Sequence, residues 1–298
     1  MKGLITKIRQ HLSAGHTAFI TAIAALAVAL ASCGGRQSTR PIVTVSLPPQ
    51  KYLLEQVVGD KYDVRSLLSA GSDPENYDPS FTNLMNTRNS VAYLAMGNIG
   101  FEDAVVGKIR NENPSLPIYN TAEGVKPLVG THLPGETDPH TWSSVTNARI
   151  IVANMVKAMS EADPSNSQYF ERNGAAFTAR LDSLDSAFRQ RLAPLRGSAF
   201  LVWHPSLGYF ARDYGLRQIA LGGAEHKEVS IADLQAHIDE ARASGAKVIF
   251  VQKDTDSRQA ESANAQIGAR ETVIRPLDYD WMAEMNNIVD ALAPAAPK

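Results

Sequence analysis

A single cysteine, Cys33, excludes any disulfide within one chain of 298 residues, so stability has to come from a buried core. Excess positive charge is also missing: 29 Lys and Arg face 31 Asp and Glu, which leaves no basic field for nucleic acid. Long hydrophobic runs are absent after the first thirty-odd positions, and the apolar stretch 18–31 is shorter than the roughly 20 residues a membrane helix needs. No internal repeat is evident, and the only low-complexity piece is the Ala/Pro tail.

What is present begins with Lys2, Lys7 and Arg9, which precede the apolar stretch with no acid among them, the layout of a secretory signal. The stretch ends in Leu30-Ala31-Ser32-Cys33, which resembles the bacterial lipobox and implies lipidation of Cys33 after cleavage. The expected organisation is a lipoprotein signal peptide over 1–32, a polar tether over 33–40, an α/β lobe over 41–163, a linker helix over 164–193 and a second α/β lobe over 194–298. The body is then a soluble domain tethered to a membrane outside the cytoplasm.

From residue 41 on, short apolar runs alternate with amphipathic stretches, the pattern of α/β units with parallel sheets. Strands are expected over 42–45, 62–68, 91–96 and 117–119, with helices from Pro49 to the stop at Gly59, over 102–109, and from about 150 to the Asp163-Pro164 break. Between 165 and 192, Tyr169, Phe177, Leu181, Leu184, Phe188 and Leu192 recur at helical spacing, which predicts one long helix of roughly 40 Å. Beyond it, strands are expected over 199–203, 216–221, 247–251 and 271–275, and helices over 207–214, 231–243, 257–268 and 281–292. The fold class is α/β: two lobes with mainly parallel sheets, one long helix between them, and a cleft.

In open α/β sheets, ligands bind beyond the carboxyl ends of strands. Four residues stand there: Glu75 in the Pro-rich turn 71–79, His140 in Asp138-Pro139-His140-Thr141-Trp142, His204 directly after a strand, and Asp278 after the last strand. Two come from each lobe, so a cation held by all four would join the lobes. Two imidazoles and two carboxylates suit Zn²⁺ and, with bidentate carboxylates, Mn²⁺ or Fe²⁺. Spacing alone does not pair residues this far apart. A turn histidine also serves as a surface or capping residue, and Asp73, Asp78 and Asp280 read as turn formers.

These segments resemble the substrate-binding proteins of ABC importers for zinc and manganese, across nearly the whole chain after the signal. The likeness rests on Gly-x-x-Pro-x-x-Tyr-x-Pro at 71–79, Asp138-Pro139-His140-x-Trp142, Tyr169 with Asn173, His204 with Gly208-Tyr209-Phe210, Glu225-x-x-Glu228-x-Ser230, and Asp278 followed by Trp281, Met285 and Asn286. It implies metal ligation by His140, His204 and Asp278, with Glu75 where the family usually has histidine. The carboxylate hardens the site. His204 pulls toward zinc, because manganese members often carry an acid at that position.

Asp138 is expected to orient the ligand ring from behind, and Trp142 to close the site. Many zinc members insert a long His- and acid-rich loop before the second ligand, of which His132 would be a remnant; His132, His226 and His237 otherwise read as exposed. The resemblance further implies a monomeric, lipid-anchored receptor on the periplasmic side or cell surface. Its cargo would be Zn²⁺ first and Mn²⁺ second, no residue would be catalytic, and an ABC permease with its ATPase would be the partner. Three other readings stand beside it. A zinc-dependent hydrolase with Glu75 as general base would need an open metal position. A siderophore or corrinoid receptor would need a broad aromatic or Arg-lined cleft, and a cell-adhesion role could coexist with metal capture.

Overall fold

The computed structural model describes residues 40–69, 72, 74, 77–130, 135–222, 229–252 and 258–294. The expected signal peptide, Cys33, Glu75, His132 and His226 lie outside them. Pro41–Lys298 forms one compact unit.

Its first strand, β1 (Ile42–Val45), is β-branched throughout, and its last three residues are buried. It pairs in parallel with β2 (Asp63–Ser66) and β3 (Ser90–Ala95), and β4 (Ile118–Asn120) pairs with β3, giving the order β2-β1-β3-β4. After the linker, β5 (Ala199–Val202), β6 (Arg217–Ala220), β7 (Val248–Val251) and β8 (Arg270–Val273) form a second parallel sheet, ordered β6-β5-β7-β8. Both faces of each sheet are covered, which is why the central strands read as apolar runs rather than as alternation.

The pairing of β2 outlasts the strand, since the amides of Leu67 and Leu68 bond to the carbonyls of Val45 and Ser46. Helix α1 (Pro48–Val58) opens on two prolines, which fit the first turn because its amides need no partner there. Helix α2 (Phe81–Arg88) was not expected, because Phe-Thr-Asn-Leu-Met-Asn-Thr-Arg has weak helix propensity and little periodicity. A contact from outside the helix supports it, Asn83 Nδ2 donating to the Leu67 carbonyl at 3.0 Å, while Thr87 Oγ1 donates back to the Asn83 carbonyl within the helix at 2.9 Å. Helix α3 (Gly100–Glu112) follows β3.

Helix α4 (Val145–Ala162) is capped by Ser144, whose Oγ accepts the Asn147 amide at 3.0 Å. Through the short turn Pro164–Asn166 it leads into α5 (Ser167–Leu192), the linker helix, whose 26 residues span about 39 Å. Its buried stripe is Phe170, Gly174, Phe177, Leu181, Asp185, Phe188 and Leu192, at steps of three and four. Asn173 Nδ2 ties this helix to the Val57 carbonyl at 3.0 Å. The remaining helices are α6 (Gly208–Tyr214), α7 (Ile231–Ser244), α8 (Arg258–Ile267) and α9 (Trp281–Leu292). Among the described residues no helix is long and apolar enough to cross a membrane.

Gly174 lets α4 and α5 approach closely, since a Cβ there would overlap Val156 Cγ2. Alanine there gains about 1 kcal/mol of helix propensity. The clash with a stiff β-branched neighbour costs more, about 1–3 kcal/mol. Gly174→Ala is therefore expected to lower the urea midpoint, and Gly174→Ala/Val156→Ala to recover it; a stabilised single variant would contradict this packing.

One hydrophobic core runs from the first sheet through α5 to the near face of the second sheet, where Phe200, Val202 and Phe250 meet Trp281, Met285, Ile288 and Val289 of α9. A second core holds Leu201, Trp203, Ile219, Ile249 and Val251 on the far face, under Ile238 of α7 and Ala260 and Ala263 of α8. Alternation along β5 thus sends Phe200 and Val202 to the shared core and Leu201 and Trp203 to the other.

Candidate metal site

β5 is the strand at which the second sheet reverses its order, and His204 emerges just past its carboxyl end. His140 arrives from the connection after β4, which is closed by an isolated antiparallel bridge between Val129 and Thr137. The two rings meet with Nε2 atoms 3.2 Å apart and planes inclined by 75°. Each residue is only 4 % exposed.

Asp138 is fully buried, and its Oδ1 lies 2.9 Å from both the His140 amide and the His140 Nδ1. A carboxylate in that place selects the Nδ1–H form of the ring and leaves the Nε2 lone pair facing His204, the arrangement that outer carboxylates give to metal-bound histidines. Two nitrogens bound to one tetrahedral Zn²⁺ at about 2.05 Å would stand roughly 3.3 Å apart. The observed separation of 3.2 Å is close to that.

Trp142 packs against His140, with centroids 5.2 Å apart, and its indole N–H donates to the Pro276 carbonyl at 2.8 Å. In return Trp281 Nε1 donates to the Trp142 carbonyl at 2.7 Å. These bonds hold the segment after His140 against the loop that carries Asp278. Asp278 itself is exposed, and its Oδ1 accepts the Asp280 amide at 3.2 Å. The structure therefore joins His140, His204 and Asp138 but does not bring Asp278 to them, and among the described residues no group of three or more His, Cys, Asp or Glu could hold a metal ion.

Other expectations are adjusted. His237, read as exposed, is half-buried, and its Nδ1 lies 3.2 Å from the Leu221 carbonyl. Asp280 caps α9 by accepting the Ala283 amide at 3.1 Å. Two buried groups were not among the expected site residues. Glu102 accepts the amides of Met96 and Gly97, each at 2.7 Å, and bonds to Ser46, so it shapes the loop after β3; burial pushes its carboxyl above the ordinary range. Tyr209, fully enclosed, donates to the Asp138 carbonyl at 2.9 Å. Its only signal was its place in Gly208-Tyr209-Phe210.

Residues 43–295 match the family model described as zinc-uptake complex component A, periplasmic. The chain belongs to this family. The high-affinity zinc uptake system protein ZnuA of Bacillus subtilis is 25 % identical over 279 residues, covering 86 % of this chain and 87 % of that one. The manganese ABC transporter substrate-binding lipoprotein PsaA of Streptococcus mitis is 23 % identical, over 71 % of this chain and 72 % of its own. A solved structure of a ZnuA deletion mutant with zinc bound superposes with a TM-score of 0.79 at 33 % identity, over 87 % of this chain and 100 % of that one. Some relatives are longer: the chain spans 50 % of the zinc-binding lipoprotein AdcA of Streptococcus pneumoniae. The zinc-uptake family shares the architecture found here, two parallel-sheet lobes joined by a long helix.

Proposed function

We infer that this protein is an extracytoplasmic receptor that captures Zn²⁺ or Mn²⁺ and delivers it to an ABC importer. It is a binding protein rather than an enzyme, and the metal is its cargo. The observation that carries this reading is the pair of buried imidazoles with Nε2 atoms 3.2 Å apart, one of them backed by Asp138. Family membership and the named metals of the relatives support it. His140 and His204 are the proposed nitrogen ligands, Glu75 and Asp278 the proposed oxygen ligands, and Asp138 and Trp142 hold and cover the first histidine. Asp278 lies on a loop tethered to the His140 segment through Trp142, and binding would require its carboxylate to join the two imidazoles. Lipid on Cys33 would anchor the receptor, as a monomer, beside the permease and ATPase that accept the ion.

Elemental analysis of protein purified without chelators tests this directly. About one equivalent of Zn or Mn is expected, and added metal should raise the melting temperature, since an ion at about 100 times its Kd stabilises the folded state by about 2.7 kcal/mol. Glu75→His should move the preference toward Zn²⁺, because imidazole is the softer donor. If neither metal copurifies and neither raises the melting temperature, the reading fails.

A further inference from the structure

Gly208-Tyr209-Phe210 carries part of the family likeness, and α6, which holds it, begins four residues after His204. The Tyr209 phenol oxygen accepts the Leu128 amide at 3.3 Å while its O–H donates to the Asp138 carbonyl at 2.9 Å. Leu128 and Asp138 are themselves joined, amide of the second to carbonyl of the first, at 2.8 Å. Tyr209 therefore closes the bridged pair of segments that leads into His140, and it does so on the residue whose carboxylate holds that ring. Burial raises the phenol above its ordinary range, so the O–H stays available as a donor.

The same short helix is fastened to the first lobe at two further points. Arg212 donates to the Lys126 carbonyl at 3.1 Å and to Asn147 Oδ1 at 2.9 Å, while Asp213 pairs with Arg212 and accepts the Ser144 hydroxyl. In sequence α6 belongs to the second lobe. Its side-chain hydrogen bonds through Tyr209, Arg212 and Asp213 nevertheless reach into the first.

We propose that Tyr209 is a positioning residue that clasps α6 to Asp138 and so holds His140 and His204 as a pair spaced for metal before the ion arrives. The inference rests on the reading of these histidines as ligands. A site whose donors are already placed loses less freedom on binding and holds its ion more tightly than one that must assemble. Removing the phenol O–H keeps both imidazoles in the chain but releases the element that sets their separation.

Tyr209→Phe is the test, with Tyr62→Phe as its control. Tyr62 is likewise buried and donates to Asp163 Oδ2 at 2.8 Å, at the C-terminal end of α4. Zn²⁺ affinity, from competition with a chromophoric chelator, should fall at least about tenfold in Tyr209→Phe, the scale of outer-shell losses. It should stay within about twofold in Tyr62→Phe even where both lower the melting temperature, since distant sites act independently. The visible absorption bands of bound Co²⁺ should shift in the first variant only, reporting altered ligand geometry.

An unchanged affinity and Co²⁺ spectrum in Tyr209→Phe overturns the proposal, as does an equal affinity loss in the control. A wild-type protein that binds neither Zn²⁺ nor Co²⁺ sinks the receptor reading, and the proposal with it. Should Tyr209→Phe fold too poorly to titrate, Arg212→Lys loosens the same clasp from its outer side. That variant should also weaken Zn²⁺ binding and shift the Co²⁺ bands, and wild-type values for both would overturn the proposal.

Discussion

Replacing His204 by alanine should weaken Zn²⁺ binding by a hundredfold or more. Apparent free energies of about 10–16 kcal/mol for four-ligand zinc sites amount to about 2.5–4 kcal/mol per ligand. At about 1.4 kcal/mol per factor of ten, that is roughly a hundred- to thousandfold in Kd. The loss is not restored by water, because His204 is 4 % exposed and its partner ring, His140, is enclosed to the same degree. Isothermal titration against a competing chelator measures it. The fold should survive, since Leu201 and Trp203 keep their places in the far core. A loss below about fivefold, or about 1 kcal/mol, would mean that the facing imidazoles are not the seat of the ion.

The largest loss of stability is expected from Phe188→Ala. Phe188 is 1 % exposed on the linker helix and meets Tyr214 of α6 edge to face, with ring centroids 6.1 Å apart. Truncating a buried phenylalanine costs about 3–5 kcal/mol, because the cavity forfeits contacts as well as transfer free energy. Against a usual total of about 5–15 kcal/mol, that removes a large share of the stability. Urea unfolding followed by far-UV dichroism should show one transition moved to lower denaturant. The reason is the shared core, which runs through α5 into both sheets and leaves neither lobe a complete core of its own on that side. Two separated transitions would show that the lobes fold independently and that the continuity of this core has no energetic weight.

Close by, Asp185 shows why a polar residue is tolerated in the linker stripe. Arg149 and Arg189 approach it at 2.7 and 2.9 Å, and Tyr214 donates to it at 3.1 Å. Burial works against its ionised form, but the hydrogen bonds from Arg189, Arg149 and Tyr214 outweigh it and hold the carboxyl below its ordinary value. Periodicity marked the positions around it as apolar. One partner, Arg189, is local, four residues on along α5 itself; the other two, Arg149 of α4 and Tyr214 of α6, come from other helices that no local pattern names.

Much of the architecture was legible because each element repeats one physical choice along a short segment. Ile42-Val43-Thr44-Val45 is β-branched at every position, and the linker helix carries apolar residues at steps of three and four over 26 residues. Helix α2 was not legible, because its Thr and Asn side chains have no preference that local sequence reveals and depend on Leu67 and the first sheet. The candidate site was legible in part. His140 and His204 could be singled out by their places after strands and by family resemblance, whereas Asp278 could be named without its side chain being placed beside them.

The sequence by itself determined the two α/β halves, the long helix and the residue types available to a metal, since these follow from periodicity, breakers and short motifs. Only the tertiary structure decided that two imidazoles 64 positions apart face each other at 3.2 Å, that Asp138 stands behind one of them, and that α6 hydrogen-bonds across to the first lobe. Those facts depend on how sheets and helices pack across large sequence separations. Hydrogen-bond geometry at such distances is set by the whole core, not by any segment's own preference.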